Sequence, residues 1–423
     1  MKGKIIILNV LVALMVLSMF ISTASATVIC KSTTPLITNE SAFPLSWSPS
    51  GTKIAYLEAT EPGGKEGFPD HLDLWIMNVD ETGKIQLSTV ESNLGEAILF
   101  GYGVDWTPDG KSIVYMEAPD HDNRAIWVMN VETKEKIKLA SNAACPSWSP
   151  DGMKIVYMGF SFDSESWDLW VMNADGGSKI KLAQKAGFYS WSPDGTKIVY
   201  VKYSGGRNNV EEVWVANVDG TGNTKLASNA AYPQWSPDGR KIAYLSDDGL
   251  WTMNIDGTEK TLLKTEFKEI YSETVKWSPD STKIAYTLEK GGLGVVNTDG
   301  SGKYWRIPNA WYGSWSPDGK RIAYISEPGN IHIINADGTK RQQLILNASF
   351  PLFSPDGTKI VYASIERRNF TGIWMATLEV VETTPASSRS EKKRIPGFEI
   401  VFAIAGVLAI AYLLRRVNRC NNK

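Results

Sequence analysis

A ten-residue phrase recurs eight times along the chain: an aromatic residue, Ser or Thr, Pro, usually Asp-Gly, then a basic residue, Ile, a small apolar residue and Tyr. It starts at Trp47, Trp106, Trp148, Trp191, Trp235, Trp277, Trp315 and Phe353, which spreads seven steps over 306 residues and sets a mean period near 44. A period of that size marks a supersecondary unit that cannot bury its own core and must stack on its neighbours.

The punctuation of each unit fixes its contents. In Pro193-Asp194-Gly195 and Pro237-Asp238-Gly239, Pro presets φ, Asp bonds back to the backbone and Gly takes a positive φ, so the phrase is a turn. The aromatic residue therefore ends one strand and the Ile-x-Tyr run begins the next. That second strand, as in Ile198-Val199-Tyr200, is apolar at both parities, as expected of a strand covered on both faces. A third segment, Leu-Trp-x-Met-Asn-x-Asp-Gly, appears at Leu74 to Asp80, Ile126 to Val131, Leu169 to Gly176 and Leu250 to Gly257, and reads as a strand closed by a hairpin turn. Lys138 to Ser141 and Lys225 to Ser228 supply the fourth strand.

Four antiparallel strands in about 44 residues match a propeller blade. The last unit has Gly372 to Thr377 without a following turn, and so lacks its fourth strand, while Leu36-Ile37-Thr38-Asn39 ahead of the first Trp resembles the fourth-strand segment Leu139 to Asn142. The expected fold is therefore all-β: a single eight-bladed β-propeller of four-stranded antiparallel blades, closed by an N-terminal strand that removes open sheet edges. The expected boundaries are a signal peptide at 1–26, a leader at 27–34, the propeller at 35–381, a polar linker at 382–395 and a C-terminal sorting signal or membrane anchor at 396–423.

The phrase Trp-Ser-Pro-Asp-Gly-x-Lys-Ile-Ala/Val-Tyr, paired with Leu-Trp-x-Met-Asn, resembles the TolB-type propeller repeat, a relative of the WD repeat found in periplasmic TolB and in the propellers of some peptidases. That resemblance implies the fold and little else, because such repeats carry many functions.

The termini point outside the cell. Met1-Lys2-Gly3-Lys4, the apolar stretch Ile5 to Ile21 and Ala24-Ser25-Ala26 read as a signal peptide cleaved after Ala26, with an uncleaved anchor as the alternative. At the other end a polar segment from Glu382 leads to Pro396-Gly397-Phe398-Glu399, fifteen apolar or small residues from Ile400 to Leu414, and Arg415-Arg416. The basic cluster Arg415, Arg416, Arg419 and Lys423 would stay cytoplasmic, which puts the propeller outside. This tail resembles the PGF-CTERM sorting signal of archaeal surface proteins. The resemblance implies cleavage near Pro396 to Phe398 by an archaeosortase and transfer to a lipid; the alternative is a plain membrane anchor with the same topology.

Lys plus Arg number 44 and Asp plus Glu 46. Setting aside Lys2, Lys4, Arg415, Arg416, Arg419, Lys423 and Glu399 leaves 38 against 45, a net charge near -7. An acidic surface argues against nucleic acid as a partner. The three cysteines, Cys30, Cys145 and Cys420, have no metal-binding spacing, and a Cys30–Cys145 disulfide is open to the chain but unsupported by its sequence. Asn39, Asn347 and Asn369 each head a glycosylation sequon.

Residues repeated in every blade build blades, so the turn aspartates and the basic residues three positions on are expected to be turn formers and their charge partners. His332 and Gly294 stand where other blades carry the third-strand Trp, and His332 is expected to be packed. The short turns must share one face, while the second-to-third and fourth-to-first connections share the other, where length and chemistry vary; that variable face is the expected binding surface.

Three groups on it are candidates. Aromatics ahead of the phrase (Phe43, Tyr102, Phe188, Tyr232, Trp311, Tyr312 and Phe350) either ring the channel mouth to stack on sugars or grip a peptide, or simply cap the strands. Asp70-His71 and Asp120-His121 occupy equivalent loops and could take a divalent metal, or be solvated loop residues. Asp163, Glu165, Asp168, Glu211, Glu212, Asp247 and Asp248 form an acidic sector without calcium-site spacing.

The chain has no Gly-x-Ser-x-Gly elbow, His-Glu-x-x-His pair or phosphate-binding loop. The expectation is a monomeric surface-anchored disc without a cofactor that binds a cell-envelope protein or glycan and performs no catalysis. The alternative is a propeller lyase or hydrolase acting on polysaccharide or peptide through loop histidines and carboxylates.

Overall fold

The local chemistry of the Ser-Pro-Asp-Gly phrase organises every blade. In the computed structural model, which describes residues 25–38, 41–59, 71–91, 103–118, 123–204, 211–265, 270–288, 291–366 and 369–383, the phrase closes the first hairpin around a buried hydroxyl. Ser149 Oγ donates to Asp151 Oδ1 at 2.6 Å and accepts the Lys154 N–H at 2.9 Å, while Asp151 Oδ1 also accepts the Met153 N–H at 2.9 Å. Gly152 turns the chain at φ 71°, a conformation that costs a residue with a Cβ about 1–2 kcal/mol. The same bonds recur at Ser192, Ser236, Ser278, Ser316 and Ser354.

The expected charge pairing of the turn is only partly met. The ammonium groups of Lys53, Lys154 and Lys197 bond the side-chain oxygens of Asn78, Asn173 and Asn217 at the end of the third strand. Asp151 feels Lys154 only as a minor attraction. The basic residue thus ties the two turns of one blade together.

Hydrogen bonds from the seryl hydroxyl, then from the backbone N–H two residues on, hold the carboxyls of Asp151, Asp194 and Asp356 below the ordinary value. A carboxyl whose folded pKa lies below its unfolded one adds stability above the unfolded pKa and loses it as pH falls through the folded pKa. We expect the melting temperature to fall as pH drops below about 4, the ordinary carboxyl range. A thermal scan from pH 7 to pH 2 checks this, and a level profile down to pH 2 would contradict it.

Eight four-stranded antiparallel sheets result. Blades 1 to 7 take residues 42–91, 104–141, 143–183, 186–228, 230–265, 270–308 and 310–345, and blade 8 takes 348–383. Blade 8 supplies only three strands of its own, and the N-terminal strand Ser25–Thr38 fills the fourth place beside Asn369–Thr383. The closing strand is thus longer than the Leu36 to Asn39 segment that signalled it. By contacts the chain divides into Val28–Val380 and a second unit of Met1–Thr27 with Val381–Lys423, of which only the strand ends 25–27 and 381–383 are described.

Second strands are buried on both faces, as their apolar parity requires: Ile54, Ala55, Tyr56 and Leu57 are all inaccessible. The strand tyrosine stacks on the aromatic opposite it in the third strand, Tyr157 on Trp170 and Tyr244 on Trp251. In blade 7, His332 takes that place and stacks on Tyr324 with centroids 5.4 Å apart, so it is packed as expected. In blade 6 the Tyr286 ring fills the space over Gly294, where a Cβ would lie 2.3 Å from it.

Neighbouring blades are latched by the phrase aromatic. The indoles of Trp191, Trp277 and Trp315 donate to the backbone carbonyls of Ser147, Gln234 and Lys276, each just before the aromatic of the preceding blade. Trp47 donates in the same way to Leu352 O at 3.1 Å, from blade 1 to blade 8, which closes the ring. In other blades the preceding residue bonds through its side chain: Asp105 Oδ2 accepts both the Trp148 N–H and the Ser147 hydroxyl, at 2.9 Å each. Trp47→Phe keeps a ring but removes the closing bond, so unfolding by urea is expected to show a loss of about 1–2 kcal/mol. An unchanged midpoint would mean that the contact does not hold the ring.

Candidate functional site

First strands of successive blades lie against one another: Val104–Trp106 on Ala143–Trp148, Ala186–Trp191 on Ala230–Trp235, and Ala42–Trp47 on Ala348–Phe353. They are therefore the inner strands of the ring. Since strands alternate in direction, every first strand starts on the variable face and ends at a turn. The candidate aromatics sit at those starts.

The inner strands are bulged there. Asn142, Lys185, Asn229 and Asn347 enter the strand with φ near 50°, and three residues later Cys145, Phe188, Tyr232 and Phe350 again take positive φ, from 26° to 51°. Strand register slips at each of these places. A left-handed backbone is unfavourable for aromatic residues, and bulges re-aim side chains at strand ends. The effect is contact across blade boundaries.

Two aromatic clusters form. Between blades 1 and 8, Phe43 packs on Phe350 and Phe370 with centroids 6.0 and 5.5 Å apart. Phe43 is 9% exposed and belongs to the core. Between blades 4 and 5, Phe188 and Tyr232 lie 4.2 Å apart, both half-buried. Tyr203 and Glu211 are cross-strand partners at the same end of blade 4, and Asp247 lies in the connection of blade 5. Burial, then Glu211 and Tyr232, push the Tyr203 phenol up to about 12; burial, then Asp247, raise the Glu211 carboxyl. Two half-exposed rings and an acid pair thus meet at one blade boundary.

The other candidates are dispersed. Trp311 is half-buried beside Gly291, and the backbone of Tyr312 pairs with Tyr324. Tyr102, Asp70, Asp120, His121 and Asn39 lie outside the described residues, as do the apolar stretches of both termini. His71 begins the third strand of blade 1 and is exposed. No group of three or more His, Cys, Asp or Glu side chains placed to hold a metal occurs among the described residues. Asn347 is exposed in the connection from blade 7 to blade 8, and Asn369 opens the third strand of blade 8.

Much of the acidic sector is engaged internally: Asp168 pairs with Lys181 at 2.7 Å, Glu212 with Lys225 at 3.1 Å, and Asp248 accepts the Trp251 indole at 2.8 Å. Cys30 and Cys145 are free thiols, in blades 8 and 3. A cleft of about 540 Å³ lies on the turn face between blades 5 and 6, lined by Asp238, Arg240, Lys241, Asp280 and Ser281. Here Ser281 replaces the repeat glycine and accepts the Asp238 N–H at 3.0 Å.

Blade count, closure and turn chemistry define a closed β-propeller. The family model for a TolB beta propeller domain matches residues 101–310, and that for the PGF-CTERM motif matches 395–417. The chain is therefore a TolB-type β-propeller protein that ends in a PGF-CTERM surface-sorting signal, an extracellular protein anchored to the membrane of its cell. No curated protein matches it.

Among solved structures it is similar to the C-terminal WD40 domain of Sif2, at 14% identity over 84% of this chain and 99% of that one, with a TM-score of 0.53. It is also similar to an oligogalacturonate lyase from Vibrio parahaemolyticus (15% identity, 65% and 89% covered, TM-score 0.48). A third likeness is to the propeller domain of the Trilobed protease from Pyrococcus furiosus (17%, 77% and 98%, 0.48). At these identities the likeness concerns the fold alone.

Proposed function

We propose that the propeller is a non-catalytic binding module of the cell surface whose variable face takes a protein or glycan of the cell envelope. The observation that carries this reading is the Phe188–Tyr232 pair, held at 4.2 Å by two left-handed bulges and flanked by Tyr203, Glu211 and Asp247. Such rings offer apolar faces to sugar C–H groups or to a peptide side chain, and the phenol and carboxyls bond hydroxyl or amide groups beside them. Saturable binding of the soluble propeller to components of its own envelope, without turnover of them, is the test. Metal-dependent cleavage of a polysaccharide or peptide, lost on changing His71 and His121 to Ala, would sink the reading.

A further inference from the structure

We propose that the turn face is the side this propeller presents to the membrane, so that the variable face points away from the cell. Blade 8 uses the chain's own Asn369–Thr383 as its third strand and Ser25–Thr38 as its fourth. Thr377 is opposite Lys359, just beyond the Pro355-Asp356-Gly357 turn, and the Leu378 N–H bonds Thr358 O. The chain therefore leaves blade 8 at the turn face. The N-terminal strand enters there too, since Lys31 pairs with Glu379 at 3.6 Å and Ile37 lies beside Gly372.

Twelve residues separate Thr383 from Pro396 of the sorting signal. To bring the variable face to the membrane, the same tether would have to pass the outer strand and the depth of the blade. Strands of six to eight residues make that depth alone about 20–27 Å. Fully extended, twelve residues reach about 40 Å, so the inverted arrangement demands a taut tether and the upright one does not.

The distribution of exposed apolar side chains agrees. Among the described residues, the large apolar side chains more than half exposed are Ile137, Met153, Tyr304 and Val380 toward the turn end of their blades, against Phe162 and Leu346 at the variable end. Side chains of this kind suit a lipid–water boundary better than open solvent.

The test uses the full-length protein anchored in vesicles of its own cell membrane, with Cys30, Cys145 and Cys420 changed to Ser. Single reporters are placed by Met153→Cys on the turn face and Phe162→Cys on the variable face, each site 68% exposed. Energy transfer from the attached dye to a lipid-borne acceptor is expected to be several-fold more efficient from position 153. Equal transfer, or more from position 162, would overturn the proposal. Ile255→Cys and Leu346→Cys form a second pair with the same expected order, should either of the first variants disturb its turn. The outcome is independent of whether the Phe188–Tyr232 platform binds a ligand.

Discussion

Gly372→Ala is expected to destabilise the propeller by about 3 kcal/mol or more, at the upper end of single-residue effects. A Cβ at this position would lie 2.0 Å from Ile37 O and 3.2 Å from Thr38 Cα, and φ is 142°. Both obstacles are backbone atoms of the closing strand, which cannot step aside as a flexible side chain could. The strand must therefore peel away, and with it the buried Val28, Leu36 and Ile37, each worth about 1.5–3 kcal/mol when fully covered. Gly302→Ala separates the two components of this cost. At Gly302, φ is 67° and nothing lies within 4 Å of the added Cβ, so only the left-handed backbone is strained, at about 1–2 kcal/mol. Urea titration of the two variants compares the sizes, and proteolysis of residues 28–38 in Gly372→Ala locates the loss. Equal midpoints for Gly372→Ala and the parent would mean that the N-terminal strand does not hold the ring shut.

The architecture was legible because its determinants are local. Pro-Asp-Gly fixes a turn wherever it occurs, and a second strand apolar at both parities has to lie between sheets. The missing turn after Thr377 and the spare strand at Leu36 then imply closure by counting. Chain-end direction follows from the same parity, since a chain that enters on a fourth strand and leaves on a third has both ends at the turns.

The binding platform was legible only as a row of aromatics. Nothing in Phe188 or Tyr232 signals a left-handed backbone, which aromatic residues disfavour; it arises from register slip inside a packed inner strand. The same slip occurs at Cys145, where no ring results. Sequence spacing also treated Phe43 and Phe188 alike, although closure beside Phe350 and Phe370 buries the first and the blade 4–5 boundary leaves the second half open. The second partner of the phrase lysine was hidden for a related reason: Asn173 is nineteen residues from Lys154 in sequence, and only the blade brings the two turns together.

Replacing Phe188 and Tyr232 together by Ala is expected to weaken ligand binding about 30-fold or more, the effect of losing a central aromatic anchor worth about 2 kcal/mol. The protein should stay folded with a loss of only about 1–2 kcal/mol, because the Cβ that carries the left-handed strain is kept and the two rings are only half-buried. A merely structural role would give the opposite pattern, with a larger loss of stability and unaltered affinity. Phe43→Ala supplies the contrast: its ring is core, and its loss is expected to cost about 3–5 kcal/mol of stability.

The central claim, that the variable face binds and the repeat only builds, is tested most directly by binding isotherms of the soluble propeller on its own envelope extract. The parent and the Met153→Ala turn-face variant are predicted to bind saturably with equal affinity, and the Phe188→Ala/Tyr232→Ala protein to lose binding while still folding cooperatively. Undiminished binding by that double variant, or loss of binding on changing Met153 instead, would contradict the account.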